Sequence, residues 1–347
     1  MFTIEKIKNI STIGRVLAIF MIVIFHLFDS IEKVNSEIFY SLIFKMTHIG
    51  SQGIHFFFFI SAFFLYLKYN TLSKYNLLFF KWLIKRLKKL YPTYIASILI
   101  ISVMYYLFLE QTFSIKEIII NIFPLIRNFS SEYIHSINGN FWFLHTLIEF
   151  YLIFPLLIKF STKMSNIQFI LFTYLIVILY ILYYTFYLSI DSATLNPYSS
   201  FFLNYLYDFS LGIILAKYLK IHKIITFKVS YIITFIIFFE LIGVILSQYN
   251  AFGRNINDLF FSISIILIIL LLANFISNIT HKLILYPINF FKTKVYDIYL
   301  VHHPMIKIII SQEINSGILL VILGFLAVIP ISIINFYISN IIRKVIK

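Results

Sequence analysis

The residues best suited to chemistry in this sequence are an arginine and a histidine in its first long apolar run. Arg15 and His26 lie eleven residues apart within GRVLAIFMIVIFH. On an α-helix this spacing is a rise of about 16.5 Å and a rotation of three turns plus roughly 20°, so both side chains share one face. The guanidinium could bind a polyanion, and the imidazole could accept a proton or a chemical group deeper in the helix. Two simpler interpretations stay open: Arg15 snorkels to the membrane surface, and His26 is a neutral histidine bonded to a neighbouring helix.

Other polar side chains fall inside the later apolar runs, where they are costly and are therefore candidates for function. They are Ser61 in HFFFFISAFF, then Trp142, His145 and Glu149 in FWFLHTLIEFYLIFP, and finally Asp297, Tyr299, His302 and His303 in VYDIYLVHHPM. His145 and Glu149 are four residues apart and could pair on one helix face, either to set the protonation of the histidine or to satisfy two buried groups. Asp297 is expected to be structural.

No metal site is expected, although imidazole and carboxylate groups are competent ligands. No pair shows a recognised ligand spacing such as HExxH, and the adjacent His302 and His303 point to different faces of a helix.

The composition indicates which elements must position these residues. Of 347 residues, 61% are hydrophobic and only 12% are charged, whereas a soluble domain carries about 25% charged residues. Apolar runs recur along the whole sequence, so we expect one all-α membrane domain over residues 1–347 and no fused soluble domain. The first run lacks a cleavage site and should be a retained span. Because the chain has no cysteine, its chemistry must come from His, acidic, hydroxyl, Lys or Arg side chains.

Ten apolar runs are long enough to cross a hydrocarbon core of about 30 Å, which predicts a polytopic protein of about ten transmembrane helices. Their approximate limits are 13–29, 50–68, 91–109, 140–159, 167–188, 199–217, 227–247, 258–276, 294–311 and 317–341.

The lysines and arginines predict the orientation, since cytoplasmic loops retain them. With both termini cytoplasmic, 21 of the 28 basic residues fall on the inner side and five on the outer side. The net charge of +14 is then explained by topology and by contact with anionic membrane lipids, and no nucleic-acid partner is expected.

Two loops carry features of their own. Residues 77–90, LLFFKWLIKRLKKL, predict an interfacial amphipathic helix anchored by Trp82, which could bind the lipid surface, phosphate groups or both. Residues 111–139 form the longest external segment and include a second apolar stretch that Pro124 interrupts. This segment could be a re-entrant or lid element, or equally a packed loop.

Taken in order, these motifs resemble the acyltransferase-3 family of bacterial integral membrane acyltransferases, which modify cell-surface glycans. Arg15-x10-His26 is similar to the family's signature in its first span. FFFFISAFFL at 56–65 resembles its FFxxSGFL stretch, with Ala62 in place of Gly, and RLKKLYPTY at 86–94 resembles its RxxR run, with Lys89 as the second basic residue. WFLHTLIEFYLIFPLL at 142–157 and IYLVHHPM at 298–305 resemble two further spans, the second of which aligns His302.

The resemblance implies transfer of an acyl group, commonly acetyl, from cytosolic acyl-CoA to a hydroxyl of a surface polysaccharide or lipid-linked glycan outside the bacterial cytoplasmic membrane. His26, with Arg15 and Glu149, is then the candidate catalytic set, and His26 would act as general base or as acyl carrier. The expected acyl-CoA ligands are Arg15, Arg86, Lys88 and Lys89. The expected acceptor-binding residues are Ser61, Trp142, His145, Tyr299 and His302.

Two other functions stay open. A polysaccharide or lipid-linked sugar exporter without acyl-transfer chemistry should show inverted repeats and a continuous polar pathway, which this sequence lacks. A sensor or binding domain is the third hypothesis, and the expected absence of a fused enzyme domain argues against it.

Overall fold

The computed structural model is built of α-helices that follow the apolar runs of the sequence. It describes residues 2–34, 48–72, 74–128, 132–190, 195–226, 228–279, 282–312 and 317–345, so part of the predicted external segment, 129–131, lies outside the described residues. Within these ranges the α-helices are α1 (Ile4–Val34), α2 (Gly53–Tyr69), α3 (Leu77–Leu109), α4 (Ile115–Ile122), α5 (Pro124–Asn128), α6 (Trp142–Lys163), α7 (Asn166–Leu182), α8 (Leu206–His222), α9 (Val229–Ser247), α10 (Ala251–Ile256), α11 (Asp258–Ser277), α12 (Lys282–Phe291), α13 (Val295–Ile310) and α14 (Gly317–Val345). These ranges contain no strand, and the predicted all-α class is confirmed.

Every predicted membrane run overlaps one of these helices. In the part of the chain that the structure describes, eight helical stretches are long and apolar enough to cross a membrane. The helices α8 and α13, with 17 and 16 residues, lie at the short end of the range for a membrane span. The protein is therefore a polytopic helical membrane protein, whereas the count of ten spans and the cytoplasmic position of both termini stay predictions.

The basic segment at 77–90 does not form a separate helix. It is the first part of α3, which continues through Pro92 into the span that follows. Trp82 also differs from the prediction of a lipid-surface anchor, because its ring is buried and lies 5.5 Å from the ring of Phe154 and 5.7 Å from that of Tyr69. The indole of Trp82 thus contacts aromatic side chains of the protein and not lipid headgroups.

The chain divides into two compact units, which are described separately. Unit 1 comprises Met1–Ala18, Gln52–Trp82 and Thr146–Leu285. In its core α2 packs against α8, and the approach is so close that a Cβ atom at Gly212 would collide with the backbone carbonyl of Phe59. The rings of Phe150 and Phe209 stack beside this contact at 4.2 Å. Only glycine allows two helix backbones to approach in this way.

Unit 2 comprises Ile19–Ser51, Leu83–His145 and Tyr286–Lys347. Here α13 packs along α14, and the amide of Asn335 donates to the Asp297 carboxylate at 2.9 Å. Arg343, near the end of α14, donates to the hydroxyl of Thr93 on α3 at 2.7 Å. These bonds satisfy polar groups that would otherwise be unpaired at membrane depth, so Asp297 has a structural partner.

The described part of the predicted external segment is folded and packs within unit 2. Ser114 and Glu117 form a capping box that starts α4. Asn121 is fully buried; its amide donates to the hydroxyl of Ser136 at 2.8 Å, and its backbone carbonyl accepts from the Tyr94 hydroxyl. Of the alternatives that the sequence left open, these contacts favour a packed loop.

Candidate active site

Unit 2 brings three histidines into contact, and we call His26, His302 and His303 the histidine cluster. The His26 ring on α1 lies 5.2 Å from the His302 ring and 5.2 Å from the His303 ring, both on α13. The two neighbouring histidines of α13 leave the helix in different directions, as their spacing predicts, and His26 contacts both rings. Residues from opposite ends of the sequence thus form one imidazole cluster.

Hydrogen bonds fix the protonation of His302. Its Nδ1 lies 2.8 Å from the carbonyl oxygen of Tyr299 and 3.2 Å from that of Ile298. Because carbonyl oxygens only accept, Nδ1 must carry the hydrogen. On the other side Nε2 lies 3.0 Å from the amide nitrogen of Asn140, which donates to it. His302 is therefore a neutral imidazole with both nitrogens in use.

The three histidines differ in how accessible they are. His302 is fully buried, whereas His26 and His303 are half-buried. A substrate could thus reach His26 or His303 without displacing the packing around α13. For a substrate to bond to His302, the bond from Asn140 would first have to break, so the predicted acceptor-binding role of His302 requires a rearrangement.

A short polar segment before α6 supports this arrangement. The Tyr299 hydroxyl donates to the backbone carbonyl of Asn140 at 2.9 Å, and the Asn138 side chain donates to the carbonyl of Leu300 at 2.7 Å. The sequence interpretation did not include Asn138 and Asn140. The sequence did contain a sign of these residues, because two amide side chains stand immediately before an apolar span, in the segment NGN at 138–140.

A buried arginine holds the same segment from the other side. Arg127 on α5 is fully buried and donates to the backbone carbonyls of Ile134, Asn138 and Gly139. Burial lowers the pKa of Arg127 to about 10, so the guanidinium still carries its charge at neutral pH. A permanent charge inside a packed loop needs several acceptors, and these carbonyls supply them.

Three other predicted residues lie in unit 2. Tyr299 is buried, and its ring lies 5.0 Å from that of Phe143. His145 is buried, and its Nδ1 lies 3.0 Å from the carbonyl of Pro124, which ties α6 to the external segment. Trp142 begins α6 and is half-buried.

The remaining predicted catalytic and acceptor residues lie in unit 1. Glu149 is buried, and its carboxylate accepts from the backbone N–H of Phe202 at 3.0 Å. Ser61 is half-buried on α2. Arg15 is half-buried, with its guanidinium 5.4 Å above the ring of Phe64. A cation–π contact of this kind suits either a snorkelling arginine or a ligand-binding one.

The predicted acyl-CoA ligands on α3 differ in exposure. Arg86 is half-buried, whereas Lys88 and Lys89 are exposed. These three residues belong to unit 2, and Arg15 belongs to unit 1.

Unit 1 also contains a buried histidine–aspartate hydrogen bond that the sequence interpretation missed. Nδ1 of His55 lies 2.6 Å from Oδ2 of Asp208, and both side chains are buried. The Tyr207 hydroxyl lies 3.4 Å from the same nitrogen. Nothing in the local sequence pairs a histidine of α2 with an aspartate of α8, because the contact depends on the close packing of those helices.

The described residues include no group of three or more His, Asp or Glu side chains arranged to hold a metal ion. Within the histidine cluster, His302 has no nitrogen available for a metal, because both already form hydrogen bonds. The expectation that the protein uses no metal stays a prediction.

Fold and site together define a multi-pass helical membrane protein with imidazole groups at membrane depth. The chain belongs to the acyltransferase-3 family, since the family's sequence model, described as an acyltransferase domain, matches residues 11–337. The resemblance inferred from the motifs is confirmed, and the protein is a membrane acyltransferase. No curated protein and no solved structure matches the chain.

Proposed function

We propose that this acyltransferase moves an acetyl group from cytosolic acetyl-CoA to a hydroxyl group of a carbohydrate outside the bacterial cytoplasmic membrane. The acceptor is a surface polysaccharide or a lipid-linked glycan, and membrane lipids surround the helices. The observation that carries the proposal is the histidine cluster, in which a half-buried His26 contacts a neutral, fully bonded His302. This arrangement supports His26 as the reacting group.

His26 can act in two ways, and in each of them every bond formed or broken and every proton is accounted for. As general base, its imidazole takes the hydroxyl proton while the oxygen bonds to the acetyl carbon; the carbon–sulfur bond breaks, and the CoA thiolate takes the proton. As acyl carrier, the imidazole nitrogen first attacks the acetyl carbon, and CoA leaves as the thiol with the imidazole proton. The hydroxyl oxygen then takes the acetyl group, and its proton returns to the ring.

The donor part of the proposal depends on cationic side chains. CoA carries several phosphate charges, which charge-assisted hydrogen bonds from Arg and Lys would bind. The half-buried Arg15 and Arg86 and the exposed Lys88 and Lys89 are the candidates. A lysine in place of the family's second arginine binds phosphate through a point charge and not through a planar fork.

Thiol release by the purified protein tests the proposal directly. The chain has no cysteine, so a thiol reagent such as Ellman's reagent detects free CoA without a background from the protein. We expect CoA release from acetyl-CoA that depends on added glycan from a strain in which the gene is deleted. Mass spectrometry should then find acetyl esters on that glycan.

Two results would contradict the proposal. One is the absence of acetyl-CoA turnover by folded protein with deletion-strain glycans. The other is a deletion strain whose surface glycans keep their acylation but fall in amount, which would favour an exporter.

A further inference from the structure

Unit 1 contains an apolar groove that the proposed reaction does not use. We call it the lysine-rimmed groove; its volume is about 590 Å³, and it lies among α1, α2, α8, α9 and α11. Phe59, Leu215, Ile266 and Leu270 are among the side chains that line it. The volume lies within the usual range of 300–1,000 Å³ for small-molecule sites.

The groove lies beside α9, which is the least buried of the candidate membrane spans among the described residues. Along α9 the buried residues are Ile232 and Gly243, and Ile232 is one of the groove-lining residues. Most of the α9 surface must therefore face lipid. An apolar recess at such a place does not hold water, because water needs two or more polar partners. The apolar lining of the groove favours a hydrocarbon chain as the ligand.

One end of the groove is basic. Tyr218, Ile224 and Ile232 line it, and the exposed lysines Lys220, Lys223 and Lys228 lie within four residues of them in the chain. Residues 217–232 include no acidic side chain.

The positions at this end are fixed by two contacts. The backbone N–H and carbonyl of Phe2 bond to Ile225 at 2.7 and 2.9 Å, and the rings of Tyr218 and His222 lie 4.3 Å apart. The ammonium of Lys217, by contrast, already donates to the backbone carbonyls of Ser161 and Met164 at 2.7 and 3.0 Å. Within residues 217–232 the charge offered to a ligand at the rim therefore comes from the three exposed lysines. The exposed Glu5 and Lys8, which carry opposite charges, are close in the chain to the groove-lining Phe2 and Ile7.

We propose that the lysine-rimmed groove is a binding site for an anionic glycerophospholipid, with an acyl chain in the apolar recess and the phosphate at Lys220, Lys223 and Lys228. Charge complementarity selects the anionic class, because each lysine near the head group strengthens binding about fivefold. The proposal does not depend on the acetyl-transfer reaction.

Binding of fluorescent phosphatidylglycerol to the purified full chain in detergent tests it, with phosphatidylcholine of the same chain length for comparison. The wild-type protein should bind phosphatidylglycerol at least tenfold more tightly than phosphatidylcholine. Replacing two of the three lysines, Lys220→Gln with Lys223→Gln, should weaken phosphatidylglycerol binding about 25-fold, at about fivefold for each lysine, and leave phosphatidylcholine binding unchanged. The matched control is Lys159→Gln with Lys163→Gln, two exposed lysines of α6, which should behave as wild type.

Leu215→Trp tests the recess, because the larger side chain should fill it and weaken binding of both lipids; Ile263→Phe serves the same purpose if the first variant does not fold. Equal binding of the two lipids by wild type would overturn the proposal, as would an equal loss in the α6 control. Displacement by palmitoyl-CoA at lower concentration than by phosphatidylglycerol would identify the groove as a donor-chain site and would also overturn it.

Discussion

The amide nitrogen of Asn140 lies 3.0 Å from Nε2 of His302 and completes the hydrogen bonding of that ring. Asn140 belongs to the short segment before α6, and His302 lies within α13. Since Nδ1 of His302 already donates to backbone carbonyls, the bond from Asn140 determines which nitrogen stays without a hydrogen. The short segment before α6 thus fixes the protonation of a residue in direct contact with His26.

Asn140→Asp should place a second hydrogen on His302. A carboxylate only accepts, so Nε2 of His302 would have to carry a hydrogen as well, which makes the ring an imidazolium. The ¹⁵N NMR spectrum of histidine-labelled protein should show one protonated nitrogen on His302 in wild type and two in the variant. Asn204→Asp is the control, because its amide donates to the backbone carbonyl of Ser199 and not to His302. A wild-type spectrum with a hydrogen on Nε2 of His302, or on both of its nitrogens, would rule out the assigned protonation.

His26→Ala should lower acyl transfer by about 10²–10⁴-fold, the usual effect of removing a positioned acid or base. Thiol release by purified protein measures it. His222→Ala, on an exposed histidine at the end of α8, is the matched control and should keep full activity. If a well-expressed His26→Ala protein acylates glycan normally, the reaction does not use this imidazole.

Arg15→Ala should raise the KM for acyl-CoA at least tenfold. A hydrogen bond to a charged group contributes about 1.5–3 kcal/mol, and the guanidinium is expected to supply one to a CoA phosphate. Lys89→Ala should have a smaller effect in the same direction, and Lys163→Ala should have none. A folded Arg15→Ala protein with unchanged KM would identify Arg15 as a snorkelling residue.

Asp208→Ala should lower the free energy of unfolding by about 3–5 kcal/mol, because it leaves the buried His55 without the carboxylate to which it bonds. The melting temperature in one fixed detergent measures this. The double variant His55→Leu with Asp208→Leu should lose much less, since it removes both polar groups together. Equal melting temperatures for wild type and Asp208→Ala would show that the pair contributes little.

The orientation can be tested with single cysteines, because the chain has none of its own. A membrane-impermeant maleimide added to intact cells should label Thr112→Cys and Tyr249→Cys, which are exposed on the side expected to face outward. Lys74→Cys and Lys163→Cys should react only after the membrane is opened. Labelling of position 74 in sealed cells would reverse the topology and exclude a cytosolic donor at the basic residues.

Much of the fold could be predicted from the sequence, because membrane-spanning helices depend on local composition. Long apolar runs predicted each of them, and the ordered motifs identified the family. The end of a helix was harder to predict: residues 77–90 and the span that follows form one helix, α3, which Pro92 does not interrupt.

The candidate site could be predicted only in part. Arg15 and His26 share one helix, so spacing alone related them. The contact of His26 with His302 joins helices from the two ends of the sequence, and no local pattern specifies such a contact. Asn140 was missed because an amide in a loop usually forms a turn, and its bond to His302 becomes visible only when the loop packs against α13.

The missing side chain at Gly212 limits how unit 1 can move. With the α8 backbone directly against Phe59 of α2, neither helix can slide or rotate past the other without a steric collision. The hydrogen bond between His55 and Asp208 links the same two helices. We therefore expect α2 and α8 to move as one rigid body in any conformational change, with the flexibility supplied by other helices.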